Sequence, residues 1–94
     1  MQCNSYISLN KTATTTEQSI QNININNVTL IANSGDNTLL INLIHSIPDD
    51  LENDETTIVL ELGEKMVNFP VECENLYFKS IGGNTKFRFV GLRS

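Results

Sequence analysis

The sequence predicts an all-β domain, an antiparallel β-sandwich or jelly roll of about six to eight strands. Apolar residues recur at every second position over several stretches, which is the period of a half-buried strand rather than of a helix. Gly and Pro are few, 5 and 2 among 94 residues, and most of the glycines fall between those stretches. Each stretch therefore carries one oily face. Such faces need a covering layer, because an isolated hairpin is marginal in water, and stacking them gives a sandwich. A small closed barrel satisfies the same pattern.

Residues 1–17 read as an N-terminal arm or edge strand, and 18–94 as the sandwich domain. Tyr6 to Leu9 has strand character, whereas Lys11 to Gln18 is polar and Thr-rich. Ile20, Ile23 and Ile25 break strict alternation, which predicts a bulge or a tight turn at Asn26-Asn27. Val28 to Asn33 and Thr38 to Leu43 flank Ser34-Gly35-Asp36-Asn37. Folded as a hairpin, they pair Val28 with Leu43, Leu30 with Ile41 and Ala32 with Leu39, so that one face is wholly apolar.

Thr57 to Leu62 and Lys65 to Phe69 flank Gly63-Glu64. A type II′ turn there sets Ile58 against Phe69 and Leu60 against Val67. Asn75 to Ile81 and Asn84 to Val90 flank Gly82-Gly83, with Phe78 meeting Phe87 and Leu76 meeting Phe89. The opposite face of that third hairpin would carry Tyr77 with Arg88 and Lys79 with Lys86. Between the first two hairpins, Pro48 and an acidic run interrupt the strand pattern, and Ser46 to Glu55 reads as a long loop with one helical turn.

Composition excludes several function classes. The net charge of -5 and the pI near 4.6 argue against nucleic acid or an anionic membrane as partner, since both select for Lys and Arg. No window approaches the roughly 18 consecutive apolar residues of a membrane span. Met1 to Asn10 lacks the basic-then-apolar pattern of a signal peptide. The chain is expected to be soluble.

Candidate chemistry is sparse, and the expectation is no enzyme, no cofactor and no metal. The acidic loop Asp49, Asp50, Glu52, Asp54 and Glu55 has the oxygens that Ca²⁺ takes but lacks the Gly and spacing of an EF-hand, so it reads as a solvated loop. His45 is the only histidine. It cannot build a histidine-rich zinc cage, and it reads as a surface or strand-end residue. Cys3 and Cys73 read as two buried free thiols rather than a bridge. Cys73 stands between Glu72 and Glu74, whose charges would raise a thiol pKa.

Charge distribution says more than any motif. Residues 46–74 hold nine of the eleven acids and one Lys, whereas residues 75–94 hold four of the six cations and no acid. The predicted interaction surface is therefore Tyr77, Lys79, Lys86 and Arg88 together with the acidic loop. The two regions either lie side by side in one molecule or steer one subunit's acidic loop towards its neighbour's basic strands.

Asn33-Ser34-Gly35-Asp36-Asn37-Thr38-Leu39, then Leu60-Glu61-Leu62-Gly63-Glu64, then Asn75-Leu76-Tyr77-Phe78-Lys79-Ser80 and Gly82-Gly83-Asn84-Thr85-Lys86-Phe87-Arg88-Phe89-Val90-Gly91 follow one another along the chain. This order resembles small accessory proteins of tailed-phage virions: a Ser-Gly turn, a Leu-x-x-Gly-Glu hairpin and a closing strand pair ending in Val-Gly, over residues 28–91. The resemblance implies a non-enzymatic β-sandwich that decorates a capsid, forms part of a head fibre or attaches to tail parts. It implies a homo-oligomer, other virion proteins as partners, and a location in the virion or the host cytoplasm, and it assigns no functional residue. A small binding module for carbohydrate or protein, and a phage-encoded inhibitor of a host enzyme, are the alternatives. Assembly state separates the three.

Overall fold

The computed structural model describes residues 5–51 and 54–93, and Cys3 and Glu52 lie outside them. The described residues form eight strands: β1 (Ser5–Ala13), β2 (Gln18–Ile20), β3 (Asn27–Asn33), β4 (Thr38–Asn42), β5 (Ile58–Leu60), β6 (Lys65–Phe69), β7 (Leu76–Ile81) and β8 (Thr85–Arg93). They make two four-stranded antiparallel sheets. Sheet I has the order β1-β8-β3-β6 and sheet II the order β2-β7-β4-β5. A sandwich is formed rather than a barrel.

The pairs β1–β8, β2–β7, β3–β6 and β4–β5 describe one long antiparallel ribbon whose tip is the β4–β5 connection. Rolled up, the ribbon gains the pairs β3–β8 and β4–β7, and the result is a jelly roll. Every strand connection except β4–β5 passes from one sheet to the other.

This overturns the three predicted hairpins. The strands stand close to where alternation puts them, but β3 and β4, β5 and β6, and β7 and β8 lie in opposite sheets. Their turns are arches across the sandwich. Leu60 pairs with Leu39 rather than Val67, Val67 pairs with Leu30, and Phe78 pairs with Ile41 and Gln18. Phe78 and Phe87 do meet, edge to face across the interior, with ring centroids 5.0 Å apart. An arch and a hairpin both bring two inward rows together, one across the core and the other side by side, so the rows of β4, β7 and β8 face inward as predicted. In β3 the bulge between Val28 and Leu30 turns Leu30 and Ala32 outward and Ile31 inward, and Val67 of β6 faces outward with Leu30.

The turn between β5 and β6 also differs from the type II′ reading. Glu64 N donates to Glu61 O at 3.0 Å, so Gly63 is the third residue of the turn, and its φ of 76° is the one that a type II turn asks of that position.

Inward-facing Val28, Ile31, Phe87 and Phe89 of sheet I pack against Leu39, Ile41, Leu60, Leu76 and Phe78 of sheet II. The linker after β2 supplies Ile23 and Ile25 to the same core. Asn22 and Asn24 on either side of Ile23 have φ of 60° and 46°, and Asn is among the few residues that take this left-handed conformation readily. Those two asparagines account for the broken alternation; a bulge occurs as well, between Val28 and Leu30 in β3. The N-terminal stretch is β1, the edge strand of sheet I, paired with β8 along all nine residues.

Candidate functional surfaces

Two buried asparagines, neither singled out by its sequence context, organise the ends of the sandwich. Asn33 closes β3. Its Nδ2 donates to Asn37 O, Leu60 O and Glu61 O at 2.8 to 3.2 Å. Its Oδ1 accepts from Gly35 N at 3.2 Å and from the Thr85 hydroxyl at 2.7 Å. One side chain thus holds the β3–β4 arch, the end of β5 and the start of β8. Gly35 must lie close for this to work: a Cβ there would come within 2.2 Å of Thr85 Oγ1 and 2.5 Å of the Lys86 backbone nitrogen.

Asn42 closes β4 in the same manner, but on the outer side of sheet II. Its Oδ1 accepts from the amides of Ile44 and His45 at 2.8 and 2.9 Å, and its Nδ2 donates to the Thr56 and Thr57 hydroxyls. Both ends of the acidic loop are thereby fastened to β4. Farther along, Ser46 Oγ and Ile47 N donate to the carboxylate of Glu17, next to edge strand β2, at 2.8 and 2.6 Å. The loop therefore crosses sheet II as a flap. Leu40 fits this, because it pairs with Lys79 and Val59 on the outward row and yet is fully buried. No helical turn occurs among the described residues of the flap.

At the end of the flap, hydrogen bonds from the hydroxyls of Thr56 and Thr57 and from the Thr56 amide hold the Asp54 carboxyl at about 2, below its ordinary 3.8. The nearby His45 adds to the effect. His45 is exposed, with Nδ1 2.7 Å from Ser46 O and Nε2 3.1 Å from Thr56 Oγ1. A carboxylate whose pKa is depressed on folding stabilises the fold above its unfolded value and loses that contribution as pH falls through its folded value. Thermal melts should therefore fall between about pH 3.8 and about pH 2, and Asp54→Asn should flatten that part of the profile. Equal slopes in the two proteins would rule out Asp54 as the source.

The predicted interaction surface divides. Tyr77 and Lys79 point outward from sheet II, half-buried on the side of the flap, whereas Lys86 and Arg88 point outward from sheet I. They lie on opposite faces of the molecule because β7 and β8 do not pair. Asp49, Asp50 and Glu55 are exposed on the flap and Asp54 is half-buried there.

The outer face of sheet I runs from apolar to basic. Val90, Leu30 and Val67 stand in one row across β8, β3 and β6, with Leu92 and Tyr6 paired beside them. Tyr6 is 68% exposed, Val67 54% and Leu92 38%. The next rows hold Arg88, Ala32 and Lys65 and then Lys86. No acidic residue occupies an outward position on these four strands.

At the end of the sandwich where Ile25 bridges Cys73 there is a cleft of about 570 Å³ lined by Asn24, Asn26, Leu43, Glu72, Cys73 and Asn75, among others, with no aromatic ring in its wall. Burial pushes the Cys73 thiol up to about 11, so it is protonated at neutral pH and a poor nucleophile. The cause differs from the predicted one. Glu72 and Glu74 are exposed while Cys73 is buried. Among the described residues no group of three His, Cys, Asp or Glu is placed to hold a metal ion.

Compared with protein families, with curated proteins and with solved structures, the chain matches none.

Proposed function

We propose that the chain is a non-enzymatic structural subunit of a phage particle: a capsid decoration, a head-fibre part or a tail-associated part. The observation that carries this reading is an eight-stranded jelly roll whose outer sheet I face leaves an apolar row exposed. Jelly rolls recur in viral capsid proteins and lectins, and exposed apolar rows rimmed by polar groups mark contact with another protein. The cleft beside Cys73 pairs a protonated thiol with amides and carboxylates, a set without an activated nucleophile or base. It also lacks the ring on which a sugar would stack, which favours the particle subunit over a carbohydrate-binding module.

The test is composition. Particles purified on a density gradient from cells that express the gene should contain the protein in fixed ratio to the main capsid or tail subunits, by quantitative mass spectrometry. Recovery only in the soluble lysate, with none on particles, would overturn the reading.

A further inference from the structure

The two outer faces of the sandwich carry opposite charge, the basic one built from strands far apart in sequence and the acidic one from a single loop. Sheet I presents Lys65, Lys86 and Arg88 beside the apolar row of Leu30, Val67 and Val90. Sheet II is crossed by the flap with exposed Asp49, Asp50 and Glu55. A surface with cations and apolar side chains but no acid repels its own copy if the two meet face to face. It is complementary to the flap. We propose that a second copy of this chain seats its acidic flap on the outer face of sheet I, so that subunits join head to tail through two different surfaces.

This rests on the structural-subunit reading and deepens it by naming the surfaces. A two-fold pair of sheet I faces would gather Arg88, Lys65 and Lys86 of both copies into one interface without counter-charges, and uncompensated like charges in an interface are unfavourable. The head-to-tail contact avoids this. Because the joined surfaces differ, each added subunit leaves one of each kind free, and the assembly either closes as a ring or continues as a filament.

The flap suits this role mechanically. Asn42 fastens both of its ends and Glu17 holds Ser46 and Ile47 at its start, so docking does not have to order those residues, a step that otherwise opposes association. The charges would steer the approach, and the apolar row would persist when salt screens them, since the Debye length falls from about 8 Å at 0.15 M to about 3 Å at 1 M.

Light scattering and sedimentation on the purified chain give the test. Self-association is expected at micromolar to millimolar concentration in low salt, weakening as salt rises to 1 M. Reversing one face with Lys86→Glu plus Arg88→Glu, or the other with Asp49→Lys plus Glu55→Lys, should weaken association at least about tenfold. Mixing the two reversed proteins should restore it, because each then offers the other the opposite charge. Restoration also shows that both variants fold. A wild-type chain that stays monomeric in low salt overturns the proposal, as does an oligomer indifferent to both reversals. Neither result touches the particle composition that tests the structural role, so the two readings fail separately.

Discussion

Phe87→Ala is expected to lower the stability of the domain by about 3 to 5 kcal/mol, the range for removing a fully enclosed aromatic ring. Phe87 is 1% exposed and comes from sheet I, and its ring meets that of Phe78 from sheet II edge to face. Deleting it leaves a void between the sheets. The flanking residues are strands tied into four-stranded sheets on both sides, which leaves little room for collapse into the void. The loss is a large share of the 5 to 15 kcal/mol that domains usually have. Chemical denaturation of wild type, Phe87→Ala, Phe78→Ala and the double variant would separate two contributions, with about 0.5 to 1.5 kcal/mol assigned to the ring pair itself. A cost below about 1 kcal/mol for Phe87→Ala would mean that the ring does not fill the interior, whereas zero coupling would mean that the edge-to-face contact adds nothing to simple burial.

Asn33→Leu is the second large effect, about 3 kcal/mol or more, although the two side chains are close in volume. Leu offers no hydrogen bond, so the Thr85 hydroxyl and the carbonyls of Asn37, Leu60 and Glu61 lose a partner together. Each buried polar group left unsatisfied costs about 1 to 3 kcal/mol. Because these groups belong to the β3–β4 arch and to β5 and β8, amide exchange should accelerate in all of those places rather than near residue 33 alone. Exchange that quickens only at Ser34 to Asn37 would show Asn33 to be a local turn residue. Asn33→Asp tests the same arrangement differently, since the carboxylate can still accept from Gly35 and Thr85 but cannot donate to the three carbonyls.

The strands, and the inward rows of β4, β7 and β8, were legible because burial on one face leaves a period of two, whereas Leu30, Ala32 and Val67, read as inward, face out because nothing in the sequence marks the bulge between Val28 and Leu30. Leu76 and Phe78, or Phe87 and Phe89, could only be core. The partners of each strand were not legible, because connections as short as Ser34–Asn37 and Gly82–Asn84 suit a hairpin and an arch equally well. The cover over sheet II did leave a trace: Leu39, Leu40 and Ile41 form an unbroken apolar run, and with Asn42 they are buried without alternation, as expected of a strand covered on both faces. That run points to the flap, not to the partner of β4. The acidic loop and the cations were visible as composition, but whether Lys79 and Arg88 share a surface depends on which sheet each strand joins. The roles of Asn33 and Asn42 were hidden because Asn is common in this chain and nothing local marks the two that become buried.

The pairing of β1 with β8 governs how the domain answers to force. Ser5 lies opposite Arg93, so tension applied at those two residues acts at the same end of one antiparallel pair. Its hydrogen bonds run across the strands and would break one after another, beginning at Ser5 and travelling towards Ala13, instead of sharing the load. A subunit tethered by both termini would peel open at low tension. One held by its flap on one side and by the outer face of sheet I on the other would carry the load across the thickness of the sandwich, where Phe78 and Phe87 lock the layers together.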